Sequence, residues 1–81
     1  MITESEFLAK LTVIFREELE QDNLKIDMGT VKDDLQSWDS LAHVRIVAGV
    51  ERSFNIQLDV EEIEEINSVR GFYTAVNRHL Q

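Results

Sequence analysis

Runs of apolar residues spaced by three and four positions constrain the fold of this 81-residue chain more than anything else in it. In the first run, Phe7, Leu8, Leu11, Ile14, Phe15 and Leu19 make one broad stripe on a helix and leave Lys10, Glu17, Glu18 and Gln21 on its wet side. Thr3 followed by Glu6 is a capping-box pattern, each side chain satisfying the other residue's backbone N–H, and it starts that helix. In the second run, Asp39 is the N-cap and Ser40 the first helical residue. Leu41, Val44, Val47, Val50 and Phe54 supply its buried stripe, with Ile46 near the edge. In the last run, Ser68 caps a helix whose apolar side is Val69, Phe72, Tyr73, Val76 and Leu80.

Periodicity fades between Gln21 and Trp38. Leu24, Ile26 and Met28 alternate as a strand would, but nothing else in the chain offers a second strand to pair with, and an isolated strand is poorly stabilised. The segment reads as a long ordered crossover. It has a turn at Gly29-Thr30, one short turn near Val31–Leu35, and Val31 and Leu35 as apolar pegs. After the second helix, Val60, Ile63 and Ile66 recur every three residues, which predicts a short helix with one buried edge. Glu61, Glu62, Glu64 and Glu65 make the rest of it negative. The expected fold is all-α, a small four-helix bundle with a long loop between the first two helices and a short third helix. Residues 1–81 form a single domain in this reading. Gly49, inside the second helix, costs about 1 kcal/mol relative to alanine. It permits close packing or a slight bend there, or is simply tolerated.

Composition narrows the function. A chain this short buries only about 60% of the surface its unfolded form exposes, too little to enclose a large ligand pocket, though it leaves room for a narrow crevice between helices. There is no cysteine, so disulfides, thiolate chemistry and cysteine-bound zinc are excluded. His43 and His79 are too far apart in sequence, and too poor in neighbouring ligands, to suggest a metal site. The formal net charge of −8 opposes binding to nucleic acid or anionic membranes and favours basic partners. The first ten residues show no signal-peptide pattern, and no run is long and apolar enough to span a bilayer. A soluble, cytoplasmic, monomeric protein is expected.

The residue that stands out chemically is Ser40. A hydrolytic serine needs a base within reach and an oxyanion site. His43 follows by one helical turn, but no orienting acid and no glycine-rich nucleophile elbow accompany it. His43 therefore reads as a surface histidine within reach of Asp39, and His79 as a surface residue near the end of the last helix. A phosphate ester on Ser40, by contrast, would meet backbone N–H groups and the positive end of the helix dipole. Asp39 would repel such a phosphate, so its place is in the cap or in recruiting metal for a modifying enzyme.

Asp39-Ser40-Leu41 resembles the phosphopantetheine attachment motif of acyl and peptidyl carrier proteins. Ile26-Asp27-Met28-Gly29-Thr30-Val31 and Asp34-Leu35 are similar to the loop that precedes the motif in that family, and Phe54-Asn55-Ile56-Gln57-Leu58 to the segment leaving the central helix. The likeness covers nearly the whole chain. It implies that Ser40 carries 4′-phosphopantetheine through a phosphodiester, with Asp39 and Leu41 as motif context. The arm's thiol would hold acyl, aminoacyl or related groups as thioesters, with no catalysis by the chain itself. The implied partners are a phosphopantetheinyl transferase, an acyl- or aminoacyl-loading ligase and a downstream synthase or transferase.

The chain departs from the family at Ser37, where glycine is common, and at Ala42 and Arg45, where fatty-acid carriers often have acids. These departures point to a carrier for a specialised pathway. Trp38, Arg45, Glu51, Glu61 and Glu62 are the candidate partner-binding residues, although for Trp38 the favoured reading is as cover for the end of the core. The alternative function is a non-enzymatic acidic helical adaptor that binds a basic protein.

Overall fold

The computed structural model describes residues 1–80. They form four helices, α1 (Glu4–Glu18), α2 (Ser40–Phe54), the short α3 (Val60–Glu65) and α4 (Val69–Leu80), with a single 3-10 turn at Lys32–Asp34 in the long α1–α2 loop. There is no sheet among the described residues, and Val31 and Ser68 make one isolated antiparallel bridge. Among the described residues, no helix is long and apolar enough to cross a membrane.

The starts of α1, α2 and α4 are capped as the sequence predicts, and α3 has a cap not predicted from the sequence. Thr3 Oγ1 accepts from Glu6 N at 3.2 Å while Glu6 Oε1 accepts from Thr3 N at 3.2 Å. Asp59 and Glu62 make the same reciprocal pair at the start of α3, and Ser68 Oγ accepts from Gly71 N at 2.9 Å at the start of α4. Such caps satisfy backbone N–H groups that have no partner inside the helix. At its other end α2 stops on Asn55, which takes a left-handed conformation (φ 54°) that asparagine tolerates better than most residues.

The core is filled by Phe7, Leu11 and Phe15 from α1, Ile46 and Val50 from α2, and Val69, Phe72 and Val76 from α4. One helix, α2, is rotated from its expected orientation. In α2, Leu41 and Val44 are 68% and 62% exposed, and the buried face is Ala42, His43, Ile46, Val47, Gly49 and Val50. That face includes small residues because α1 packs closely against it: a β-carbon on Gly49 would lie 2.8 Å from Ile14 Cγ2. Counting only large apolar residues therefore turns the helix the wrong way. In α3, Val60 is exposed, Ile63 half-buried and Ile66 buried, so the predicted edge holds only toward its C-terminal end. In α4, Ala75 joins the buried side and Leu80 sits at the exposed rim. The half-buried Tyr73 donates its hydroxyl to the Ile2 carbonyl at 3.0 Å.

The α1–α2 loop is docked, not free. Ile26 is buried, and Leu24, Met28 and Leu35 pack against the core, so the alternation of 24, 26 and 28 marks pegs and not a strand. Arg16 Nε donates to the Leu24 carbonyl at 2.8 Å. Lys32 N donates to Asn67 O at 2.8 Å and Val69 N to Thr30 O at 2.9 Å, which stitches the loop to the α3–α4 connection. This loop delivers the chain to the start of α2.

Candidate functional site at the start of α2

Ser40 is the first residue of α2 and is exposed to solvent. Asp39 holds the turn beneath it: its Oδ1 accepts from Ala42 N at 2.8 Å and its carbonyl from His43 N at 2.8 Å. The carboxylate is thereby committed to the cap. The approach is fixed as well, since Trp38 N donates to Leu35 O at 3.0 Å and Leu35 N to Lys32 O at 3.3 Å. Ser40 thus stands on a short, capped and anchored turn.

Immediately behind it the structure bears out Trp38 as cover for the end of the core and corrects the surface reading of His43. Trp38 is only 2% exposed and cannot present its ring to a partner. It packs edge-on against Phe15 at 4.9 Å between ring centroids and lies nearly parallel to Phe72 at 6.2 Å. His43 is buried and does not reach out to the Asp39 side chain. The Trp38 indole N–H donates to its Nδ1 at 3.0 Å, and its Nε2 lies 2.9 Å from the Ile63 carbonyl. An indole nitrogen can only donate and a carbonyl can only accept, so this geometry requires neutral imidazole with its proton on Nε2. Burial pushes the His43 pKa below its ordinary value, partly opposed by the Ile63 hydrogen bond, and the nearby Lys32 charge acts in the same direction as burial. Such a histidine is bound into structure at both nitrogens and has none free to act as a general base on Ser40.

The remaining candidate partner residues divide. Arg45 is exposed and borders a groove with Glu17, Glu18, Glu20 and Asp39. Glu61 is exposed on α3. Glu51, in contrast, turns inward: its Oε2 accepts from Leu58 N at 2.8 Å and orders the α2–α3 link. Glu62 is engaged on several sides, in the α3 capping box, with His79 Nε2 at 2.8 Å and with Arg78 at 3.4 Å. The His79 hydrogen bond is the main cause that holds its carboxyl below the usual range. Glu51 and Glu62 therefore serve the fold, and His79 is an α3–α4 contact. Leu41 and Val44, counted as core in the sequence, are instead exposed on α2, the helix that Ser40 begins. The Trp38–His43 pair was also missed. Its one sequence signal is that a tryptophan placed in the core needs a buried acceptor for its N–H.

No protein-family model matches the sequence, and no curated protein matches it. The fold does match the solution structure of a holo acyl carrier protein from Geobacter metallireducens. The TM-score is 0.81 and the identity 27%, over 91% of this chain and 85% of that one. The chain has a carrier-protein fold homologous to acyl carrier protein. Within that fold the order of elements, the docked loop and the short α3 are those the sequence predicts. The match is to a carrier, which is consistent with a chain that has no enzymatic activity of its own.

Proposed function

We propose that this chain is a discrete acyl carrier in which Ser40 accepts 4′-phosphopantetheine and presents acyl or related groups to partner enzymes. The observation that carries the reading is an exposed Ser40, in the sequence Asp39-Ser40-Leu41, at the first position of α2 in a fold homologous to acyl carrier protein. The residues present fit the group. A primary hydroxyl in solvent is open to a modifying transferase. Asp39 is occupied with Ala42 N, so the N–H groups of Ser40 and Leu41 and the positive end of α2 remain to face a phosphodiester. When bound, the arm supplies a thiol that holds cargo as a thioester, which a cysteine-free chain lacks.

The chain's own work is to tether and present. Its anchored first turn fixes the attachment point, and tethering raises the cargo's effective concentration at a docked enzyme. Leu41, Val44 and Arg45, exposed on the same helix, and Glu61, exposed on α3, are the residues offered to a transferase, a loading ligase and a downstream synthase or transferase. Trp38, Glu51 and Glu62 drop out of that surface.

The test is intact mass after incubation with coenzyme A and a broad-specificity phosphopantetheinyl transferase. The expected result is addition of one phosphopantetheine to the native chain and none to Ser40→Ala. No addition, under conditions that fully modify a known carrier, overturns the reading and leaves the acidic adaptor in its place.

A further inference from the structure

The turn that displays Ser40 outward also seals the space behind it. His43 lies one helical turn after Ser40 on the inner face of α2, and its Nε2–H donates to the Ile63 carbonyl at the C-terminal end of α3. That bond crosses the gap between the two helices next to Ser40. Behind it, Trp38 donates to the other imidazole nitrogen, and Phe72 lies 5.6 Å from the His43 ring and 6.2 Å from the Trp38 ring, centroid to centroid. Phe15, Ile46 and Val50 fill the next layer, each fully buried. Among the described residues, no buried side-chain nitrogen or oxygen lacks a partner.

We infer that the group carried at Ser40 stays outside the helical bundle, excluded by His43 and Trp38, and that the cargo is accordingly a short or polar acyl group. This rests on the carrier reading given above. An alkyl chain reaching inward from Ser40 must displace the imidazole. That strands the Trp38 N–H and the Ile63 carbonyl in apolar surroundings, where an unpaired polar group is costly. It must also make room among the buried rings of Trp38, Phe15 and Phe72, where inserted methylenes are destabilising. Outside the bundle, the apolar surface on α2 beyond Ser40 is the exposed Leu41 and Val44, which would cover only part of a long chain. A depression of about 230 Å³ between α3 and α4 has Ile66 and Ala75 in its lining but is bordered by Glu62, Glu65 and Arg78, and one of about 430 Å³ beside α2 has Leu19 among Glu17, Glu18, Glu20, Asp39 and Arg45. A long alkyl chain laid over these charged rims would leave much of its length in water and forfeit much of the gain of burying its methylenes. A short or polar acyl group loses little there.

The experiment loads the full chain with acetyl- or octanoyl-phosphopantetheine, using the corresponding acyl-coenzyme A and the transferase, and confirms loading by mass. Trp38 is the only tryptophan, so its emission reports on the sealed layer directly. The expected result is that the two loaded forms share one melting temperature, one emission maximum and one rate of thioester cleavage by hydroxylamine. An octanoyl form that melts several degrees higher, shifts Trp38 emission or resists cleavage several-fold more than the acetyl form overturns the inference and leaves the carrier reading intact. Failure to load removes both. His43→Ala, or the bulkier His43→Asn should the alanine variant not fold, unseals the gap. Octanoyl protection then appears in the variant, and its absence in a folded variant removes His43 from the role.

Discussion

His43 is neutral in the folded chain because both of its nitrogens have partners that only one tautomer satisfies. Its folded-state pKa lies below the ordinary value of 6.5 that the unfolded chain retains. Above that value both states are neutral and the histidine's packing contributes in full. As pH falls through it, the unfolded state binds a proton that the folded state resists, so stability is lost until the lower, folded-state pKa is reached. Denaturation midpoints at pH 7.5 and 5.5 should therefore fall more steeply with acid for the native chain than for His43→Ala. His79 is present in both chains and drops out of that difference. At pH 7.5 the same variant should be less stable by about 2 kcal/mol, since it leaves the Trp38 N–H unpaired and opens a void. Equal pH slopes would refute the assignment. Asp39 invites a similar separation of roles. Asp39→Ala should cost about 1 kcal/mol through the lost cap, whereas Asp39→Asn, an equally good cap, should melt near the native chain. A transferase that still fails on the folded Asp39→Asn chain would then be reading the charge. Ser40 and its cap were legible in the sequence because capping chemistry is local. The Trp38–His43–Ile63 chain was not, because it joins separate elements through contacts that no periodicity encodes.

At the scale of elements, the caps at Thr3, Asp39 and Ser68 located the starts of α1, α2 and α4, and two-way capping at Asp59 and Glu62 fixed the start of α3. What hydrophobic spacing misjudged was the rotation of α2. Large residues at 41 and 44 suggested a stripe, yet the helix turns Ala42 and Gly49 inward, because small residues let α1 approach closely. Gly49→Ala tests this contact. Helix propensity alone would favour alanine by about 1 kcal/mol. The new β-carbon would collide with Ile14 Cγ2, a branch carbon with little freedom to move, and overpacking of this kind costs about 1–3 kcal/mol. Urea denaturation should show a net loss of up to about 2 kcal/mol. A gain in stability would mean that the glycine is merely tolerated.

Across the whole molecule, the fold depends on a loop that carries little regular structure of its own. Its order comes from backbone bonds to the α3–α4 connection, Lys32 to Asn67 and Thr30 to Val69, and from Ile26 in the core. Backbone partners leave no trace in side-chain identity, which is why the loop could be read as ordered but not placed. Hydrogen exchange should find the Lys32 and Val69 amides protected nearly as well as the centre of α1, and the exposed Asp22 and Asn23 amides far less. Equal exchange at the two sets would show that the loop opens independently. The same anchoring has a mechanical consequence. Because Ser40 is held by a cap below and a tied loop behind, anything hung from it turns about a stationary hinge pin. All of its reach then comes from the rotatable bonds of the attachment, which sweeps the solvent side of α2 like a lamp on a fixed bracket. In the proposed carrier, an enzyme working on the load would have to bring its entrance within that arc, so distance to the bracket would decide which enzymes can share it.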